Sequence, residues 1–232
     1  MAISAIIPAL NEEAIIGETV KALRVVSEIS EIIVVDDGSR DRTAAEAALA
    51  GADRVLILAE NRGKGGALAA GVEVAQGEII CFVDADLGAT AAEFAHLLKP
   101  VLHGEADMAV AQFPAVKYSA GLGLVKRLAS WGIHALSGYL TSSPLSGQRV
   151  LRRCVWEKAL SARNGFGVEV ALTVDCLRHG FTVAEVPLMM SHRQTGRNWH
   201  GFRHRGKQFI HVSRTLFHLW LNGRVNGREK QE

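Results

Sequence analysis

A chain of 232 residues, 48% hydrophobic and 22% charged, can bury a core, which excludes a disordered tail or a low-complexity linker. The length suits one large α/β domain with a short appendage, and no apolar run approaches the roughly 18 residues that span a bilayer. The net charge of +2 hides an asymmetry: from Arg193 onward there are nine Lys/Arg and two Asp/Glu, leaving 17 basic and 22 acidic residues before it.

Short apolar runs alternate with helical stretches along the first half. Ala5 to Pro8 reads as a buried strand and Glu12 to Val26 as a helix. Ile32 to Val35 is a second strand, ending at Asp36-Asp37-Gly38-Ser39, and Thr43 to Ala50 a short Ala-rich helix. Arg54 to Leu58 is a third strand, Gly65 to Ala75 a helix, and Ile79 to Val83 a fourth strand that runs into Asp84. Ala91 to Leu102 is helical and Met108 to Ala111 is a fifth strand. This alternation implies an α/β fold with a mostly parallel, Rossmann-like sheet covered on both faces. Farther on, Gly121 to Leu140 reads as a helix, Thr141 to Gly147 as a loop, Phe166 to His179 as a helix and Val183 to Val186 as a strand. A basic tail begins near Ser191. The expected division is a domain over 1–192, split at 111 into two halves, followed by a tail over 193–232.

Met1-Ala2-Ile3-Ser4 has no basic leader and runs straight into a strand, so no signal peptide is expected. Cys81, Cys154 and Cys176 match no zinc or disulfide spacing, and a reducing cytosol is the expected setting.

In an open parallel sheet, ligands bind beyond the carboxyl ends of the strands. Pro8-Ala9-Leu10-Asn11-Glu12, Asp36-Asp37-Gly38-Ser39 and Asp84-Ala85-Asp86 each follow a strand directly, so three loops should face one crevice. Two carboxylates at i and i+2, Asp84 and Asp86, can approach one hard cation such as Mg²⁺ or Mn²⁺ together with substrate phosphates. Read alone, the same triplet is a solvated turn. Asp36 and Asp37 suit a nucleoside, or else a turn and a helix cap. Asn61 to Leu68 is a Gly-rich loop entering a helix, with Lys64 suited to a phosphate; it has neither the P-loop spacing nor the dinucleotide fingerprint. Glu169 near the start of its helix is either a dipole partner or an acidic group facing an acceptor. His192 is a candidate third metal ligand, or a structural histidine, and Arg193 a candidate phosphate clamp.

From Trp199 to Trp220, Phe202, Phe209, Val212, Leu216, Phe217 and Leu219 interleave with Arg203, Arg205, Lys207 and Arg214. That pattern fits a basic amphipathic helix on an anionic membrane surface, or one packed on its own domain or across a homodimer. No nucleic-acid module is recognisable, so no nucleic-acid partner is expected.

Taken in order, Pro8 to Glu13, Val35 to Ser39, Asn61 to Leu68, Val83 to Leu87, Ser146-Gly147-Gln148-Arg149, and Val186-Pro187 followed by Arg193 and Gly196 resemble family-2 glycosyltransferases of the GT-A fold over about residues 3–198. The resemblance implies a metal-dependent transfer from a nucleotide sugar. It puts Pro8, Ala9, Leu10, Glu12, Asp36, Asp37, Lys64, Asp84, Ala85 and Asp86 on the donor, with Asp86 the direct metal ligand and Asp84 near ribose or a metal-bound water. Asp86, Glu169 and Arg193 become the catalytic candidates, with Glu169 or Asp175 as base if the acceptor is a hydroxyl. Ser146, Gly147, Gln148, Arg149 and Arg197 fall on the acceptor side.

Two branches of the family compete. The chain resembles polyprenyl-phosphate glycosyltransferases in Asn61 to Ala67, in Asp84-Ala85-Asp86 with Gly88-Ala89-Thr90, and in Arg193 with Gly196. It resembles glucosyl-3-phosphoglycerate synthases in Pro144 to Gly147, Gly165 to Glu169 and Ser191-His192-Arg193. The second branch's Gly-Arg-Val-Thr acceptor stretch would fall on Gly123-Leu124-Val125-Lys126, which lacks the Arg and the Thr. The expectation is a hexosyltransferase using UDP-glucose, or GDP-mannose, on polyprenyl phosphate, cytoplasmic or peripheral on the membrane's cytoplasmic face. The alternatives are transfer to a small soluble phosphorylated acceptor, a sugar-nucleotide-binding module and a nucleotidyltransferase.

Overall fold

The computed structural model describes residues 1–113, 122–163, 167–190 and 210–221. Seven strands form one sheet: β1 (Ile3–Ala9), β2 (Glu31–Asp36), β3 (Arg54–Ile57), β4 (Ile79–Phe82), β5 (Met108–Gln112), β6 (Arg149–Arg152) and β7 (Val183–Pro187). Their order is β3-β2-β1-β4-β6-β5-β7. All neighbours are parallel except β6, which runs antiparallel to both β4 and β5. The helices are α1 (Ile16–Arg24), α2 (Thr43–Leu49), α3 (Gly63–Val74), α4 (Phe94–Leu97), α5 (Lys99–Leu102), α6 (Leu122–Ser137), α7 (Arg153–Lys158) and α8 (Val168–Arg178), followed by α9 over 210–221.

The strands are apolar throughout because both faces of the sheet are covered. Successive side chains alternate between two cores. Ile6, Ile33, Val35, Ile80, Phe82 and Val110 face α3, α6, α7, α8 and α9. Ile7, Ile32, Val34, Cys81 and Ala109 face α1, α2 and α4. Phe82 meets Trp156 edge to face, with ring centroids 5.2 Å apart.

The expected α/β sheet is therefore present, with local differences. The helix expected from Glu12 begins only at Ile16, because Asn11 takes a left-handed φ of 56° and the chain turns through Glu12 to Ile15 first. The helix expected over Ala91 to Leu102 is a 3-10 turn over Gly88–Glu93 followed by α4 and α5. Pro100 lies in the first turn of α5, where its missing N–H costs least. β6 and α7 were not expected.

β1 and β4 stay paired only to Ile6 opposite Phe82, two residues before Pro8, which has no N–H to donate. β1 has β2 on one side and β4 on the other, so the strand order reverses there, and the diverging carboxyl ends open the crevice where α/β sheets bind ligands.

On α9, Val212, Leu216 and Leu219 are buried in the core shared with α6 and α8. Gly132 makes the crossing with α6 close: a Cβ there would stand 2.3 Å from Leu216 Cδ2. Arg178 Nη1 donates to the Leu219 carbonyl at 2.8 Å. The half of the tail pattern that falls on 210–221 thus packs its buried stripe on its own domain.

Candidate active site

The loops leaving β1 and β2 are sewn together. Asn11 N–H donates to Ser39 Oγ at 2.9 Å, Glu12 N–H to Thr43 Oγ1 at 2.8 Å, and Arg40 N–H to Asn11 Oδ1 at 2.9 Å. Asp36 and Asp37 are each only 4% exposed. Asp36 Oδ1 accepts from Ser39 N–H at 2.8 Å, closing its own turn. Asp37 Oδ1 accepts from Arg62 N–H at 2.7 Å and so fixes the Gly-rich loop that opens α3. One oxygen of each carboxylate is therefore spent on the backbone, whatever the other meets.

That loop delivers Lys64 to the centre of the crevice. Lys64 Nζ lies 2.8 Å from Asp84 Oδ1, beyond β4, and 2.8 Å from Glu169 Oε1, in the first turn of α8. Burial works against the ammonium charge, but the two carboxylates outweigh it and hold Lys64 above its ordinary pKa. Three segments far apart in sequence meet at this one cation.

The Asp84-Ala85-Asp86 turn is held from three sides. Thr19 of α1, fully buried, donates its hydroxyl to the Ala85 carbonyl at 2.8 Å and accepts from Gly88 N–H at 2.9 Å. Gln148 accepts from Asp84 N–H at 2.9 Å and donates from Nε2 to Asp84 Oδ2 at 2.6 Å. Gly147 lies against the same pair, since a Cβ there would stand 2.4 Å from Lys64 Nζ and 2.6 Å from Asp84 Oδ2. Asp86 is partly exposed.

The Ser146-Gly147-Gln148-Arg149 segment is thus brought to Asp84 and Lys64, and most of it is covered. Gln148 is 0% and Arg149 1% exposed. Arg149 donates from Nε to the Ser146 carbonyl at 3.0 Å and from Nη1 to Thr173 Oγ1 at 2.9 Å, while Thr173 Oγ1 donates to the Glu169 carbonyl at 2.8 Å. Among the described residues, Arg149 Nη2 and Ser146 Oγ are buried without a hydrogen-bond partner. Burial pushes the Arg149 guanidinium down to about 10, against the opposing pull of Glu169. The loop before this segment hangs on Glu185 of β7, which accepts from the amides of Ser142 and Ser143 and from the hydroxyls of Thr141 and Ser142.

Asp175 does not join Glu169. Six residues along α8 set it about 120° round the helix from Glu169, and its Oδ2 accepts from Ser161 N–H at 3.0 Å. His192, Arg193 and Arg197 lie outside the described residues, as do Gly165 and Phe166. Thr19 was missed from sequence because a threonine inside an amphipathic helix carries no signal of what it ties down. The buried contacts of Gln148 and Arg149 were missed because polar residues beside a loop read as surface.

Among the described residues no cluster of three or more His, Cys, Asp or Glu is set to hold a metal. The pair Asp84 and Asp86 still fits Mg²⁺ or Mn²⁺, hard ions that are usually bound by one or two carboxylates with the remaining positions left to phosphate and water.

The family model "Glycosyl transferase family 2" matches residues 4–142. A protein of Methanocaldococcus jannaschii with no assigned function is 33% identical over 195 residues, covering 79% of each chain. Undecaprenyl-phosphate 4-deoxy-4-formamido-L-arabinose transferase of Pseudomonas paraeruginosa is 29% identical over 83% of this chain, which spans 58% of its length. Glucosyl-3-phosphoglycerate synthase of Mycobacterium tuberculosis is 31% identical over 75% of this chain, which spans 60% of its length. A crystal structure of that synthase with Mn²⁺, UDP-glucose and phosphoglyceric acid superposes with a TM-score of 0.78, at 28% identity, covering 94% of this chain and 79% of the other.

Proposed function

The chain belongs to glycosyl transferase family 2, and from that premise we propose that it transfers a hexose, glucose in the first instance, from a nucleoside diphosphate sugar to polyprenyl phosphate. The observation that carries the donor half of this reading is the meeting of Lys64, Asp84 and Glu169 at the carboxyl edge of the sheet. The leaving group is a nucleoside diphosphate, whose charge grows as the sugar departs, so preorganised positive charge is what accelerates the step. Asp86, with Asp84 beside it, would hold Mg²⁺ or Mn²⁺ there; the bound ion would neutralise the diphosphate. Pro8 to Glu12 and Asp37 would line the nucleoside, and Lys64 would turn toward the phosphates, with Arg193 as a second clamp. A phosphate acceptor is already an anionic nucleophile and needs no strong base, which leaves Glu169 to orient the sugar. UDP is the donor base favoured here because the solved relative was crystallised with UDP-glucose; GDP-mannose is the alternative.

A lipid-borne acceptor is favoured by the surface formed by α6 and α9. Neither α6 nor 210–221 contains an Asp or a Glu. Leu124 and Trp131 on α6 and Ile210, Phe217 and Trp220 on α9 are exposed, as are Lys126 and Arg127 on α6 and Arg214 on α9. Apolar and aromatic tips with cations and no acids suit an anionic bilayer surface. A two-fold dimer through this face would set like charges against each other, which disfavours the homodimer. No helix among the described residues is long and apolar enough to cross a membrane. Transfer to phosphoglycerate, which is bound in the solved relative, is the second reading.

The test is a donor-by-acceptor screen: UDP-glucose, GDP-mannose and UDP-N-acetylglucosamine, each with polyprenyl phosphate and with 3-phosphoglycerate, with and without Mn²⁺. Product on polyprenyl phosphate, lost in Asp86→Ala, is the expected outcome. Transfer to 3-phosphoglycerate alone would overturn the acceptor, and full activity of Asp86→Ala would overturn the metal assignment.

A further inference from the structure

Gln148 immediately precedes the antiparallel strand β6, and the register fixes where that puts it. Phe82 pairs with Arg149, so the residue before Arg149 comes level with the point where β4 gives way to Asp84. Being antiparallel to β4, β6 starts at the carboxyl edge where every other central strand ends. Its first residues are thereby carried to the ligand side of the sheet.

There the Gln148 amide grips Asp84 twice, at the main-chain N–H and at Oδ2. The opposite amide orientation would set oxygen against carboxylate oxygen and N–H against N–H, so only one arrangement satisfies both contacts. Lys64 takes the other oxygen, Oδ1. With the main chain and both oxygens engaged, the Asp84 carboxylate has little rotational freedom. A glutamate at 148 would put a second negative charge against Oδ2. At 0% exposure Gln148 cannot touch an acceptor.

We propose that Gln148 is a positioning residue of the donor site: its side-chain amide holds Asp84, and through it the turn to Asp86, in the orientation that receives the cation and diphosphate. This rests on the reading of Asp84-Ala85-Asp86 as the metal–diphosphate turn. The neighbouring Arg149 acts on the other carboxylate's helix, through Thr173 and the first turn of α8, so two consecutive residues brace the two segments that carry Asp84 and Glu169, the partners of Lys64.

The test is the coupling between metal and nucleotide, measured as the ratio of the UDP dissociation constants without and with Mn²⁺. Gln148→Leu should lower that ratio about tenfold or more, the size typical of losing a residue that orients a metal ligand. UDP affinity without Mn²⁺ should stay within about twofold of wild type, because the nucleoside loops are untouched. In an Asp84→Asn background the same substitution should cost less than about twofold, since its partner carboxylate is gone. Gln148→Met, which fills the same volume flexibly, is the second variant should the leucine fail to fold. A folded variant with wild-type coupling overturns the proposal. So does a loss that is equal with and without Mn²⁺, or undiminished in the Asp84→Asn background, because either is the mark of general structural damage. A wild-type protein whose UDP affinity ignores Mn²⁺ sinks the metal–donor reading itself, and that result is distinct from the others.

Discussion

Gly147 has no side chain because Lys64 and Asp84 stand where one would be: an added Cβ would lie 2.4 Å from Lys64 Nζ and within 2.8 Å of both Asp84 oxygens. Lys64 is the far end of a flexible chain and could retreat. Asp84 is gripped by Gln148 and cannot follow. Gly147→Ala should therefore break the ion pair while leaving the sheet intact. We expect kcat/KM to fall more than about tenfold, equivalent to about 1.4 kcal/mol of transition-state stabilisation, with Tm within a few degrees of wild type. Wild-type kcat/KM in Gly147→Ala would show that the contact between Lys64 and Asp84 is dispensable.

Glu185 gives the loop at Thr141 to Ser143 a pH dependence. Burial alone would raise its pKa, but the donors from Ser142, Thr141 and Ser143 hold it below the ordinary glutamate value. A carboxylate whose pKa is lowered on folding contributes stability that is present above its unfolded value, near 4.3, and is lost as pH falls through the folded one. Glu185→Gln should cost about 1.5–3 kcal/mol at pH 7, the range for hydrogen bonds to a charged group. The gap between variant and wild type should close as pH drops below about 4. Thermal melts from pH 7 to pH 3 measure it; a gap that stays constant across that range would refute the assignment.

Gly132 tests whether α9 belongs to the domain. A valine there would drive Cγ atoms into Leu216, whose Cδ2 and Cδ1 would already lie 2.3 and 2.4 Å from a bare Cβ. Overpacking of this kind costs about 1–3 kcal/mol. Relief by letting α9 lift off would expose its backbone to protease. Gly132→Val should thus be cleaved ahead of α9 faster than wild type under limited proteolysis. Equal cleavage with equal Tm would mean that the crossing yields without strain.

What the sequence made legible is the chemistry carried by apolar runs with acids at their ends. Ile32 to Val35 and Ile79 to Phe82 are continuous hydrophobic strands, so the positions of Asp36-Asp37 and Asp84-Ala85-Asp86 at the sheet's carboxyl edge followed from pattern alone. β6 was illegible because it is four residues long, begins and ends in arginine, and buries the first of them. A buried arginine contradicts every surface prior, and only the partners Ser146 and Thr173 make it intelligible. The meeting of Lys64 with Glu169 spans 105 positions, a distance that no local pattern encodes. Nor could periodicity alone show that the amphipathic pattern of the tail spends one stripe on its own core and leaves another outside.

That outer stripe is where the lipid-phosphate reading is most exposed to test. Phe217 and Trp220 stack with ring centroids 6.2 Å apart, and both remain exposed, as does Trp131 on α6. Burying an aromatic tip in the headgroup region yields about 25 cal/mol per Å², so roughly 100 Å² per ring is worth about 2 kcal/mol or somewhat more. Vesicles of phosphatidylglycerol should therefore bind the full chain. Trp131→Ser combined with Phe217→Ser should weaken the partition more than about a hundredfold without moving Tm, because neither ring contributes to the core. Raising salt to about 1 M shrinks the Debye length to about 3 Å and should weaken the contribution of Lys126, Arg127 and Arg214 but leave the aromatic one. Binding that vanishes in salt and ignores the serine substitutions would mean a purely electrostatic contact. No binding to anionic vesicles at low salt would return the acceptor to the soluble class, with the donor site unaffected.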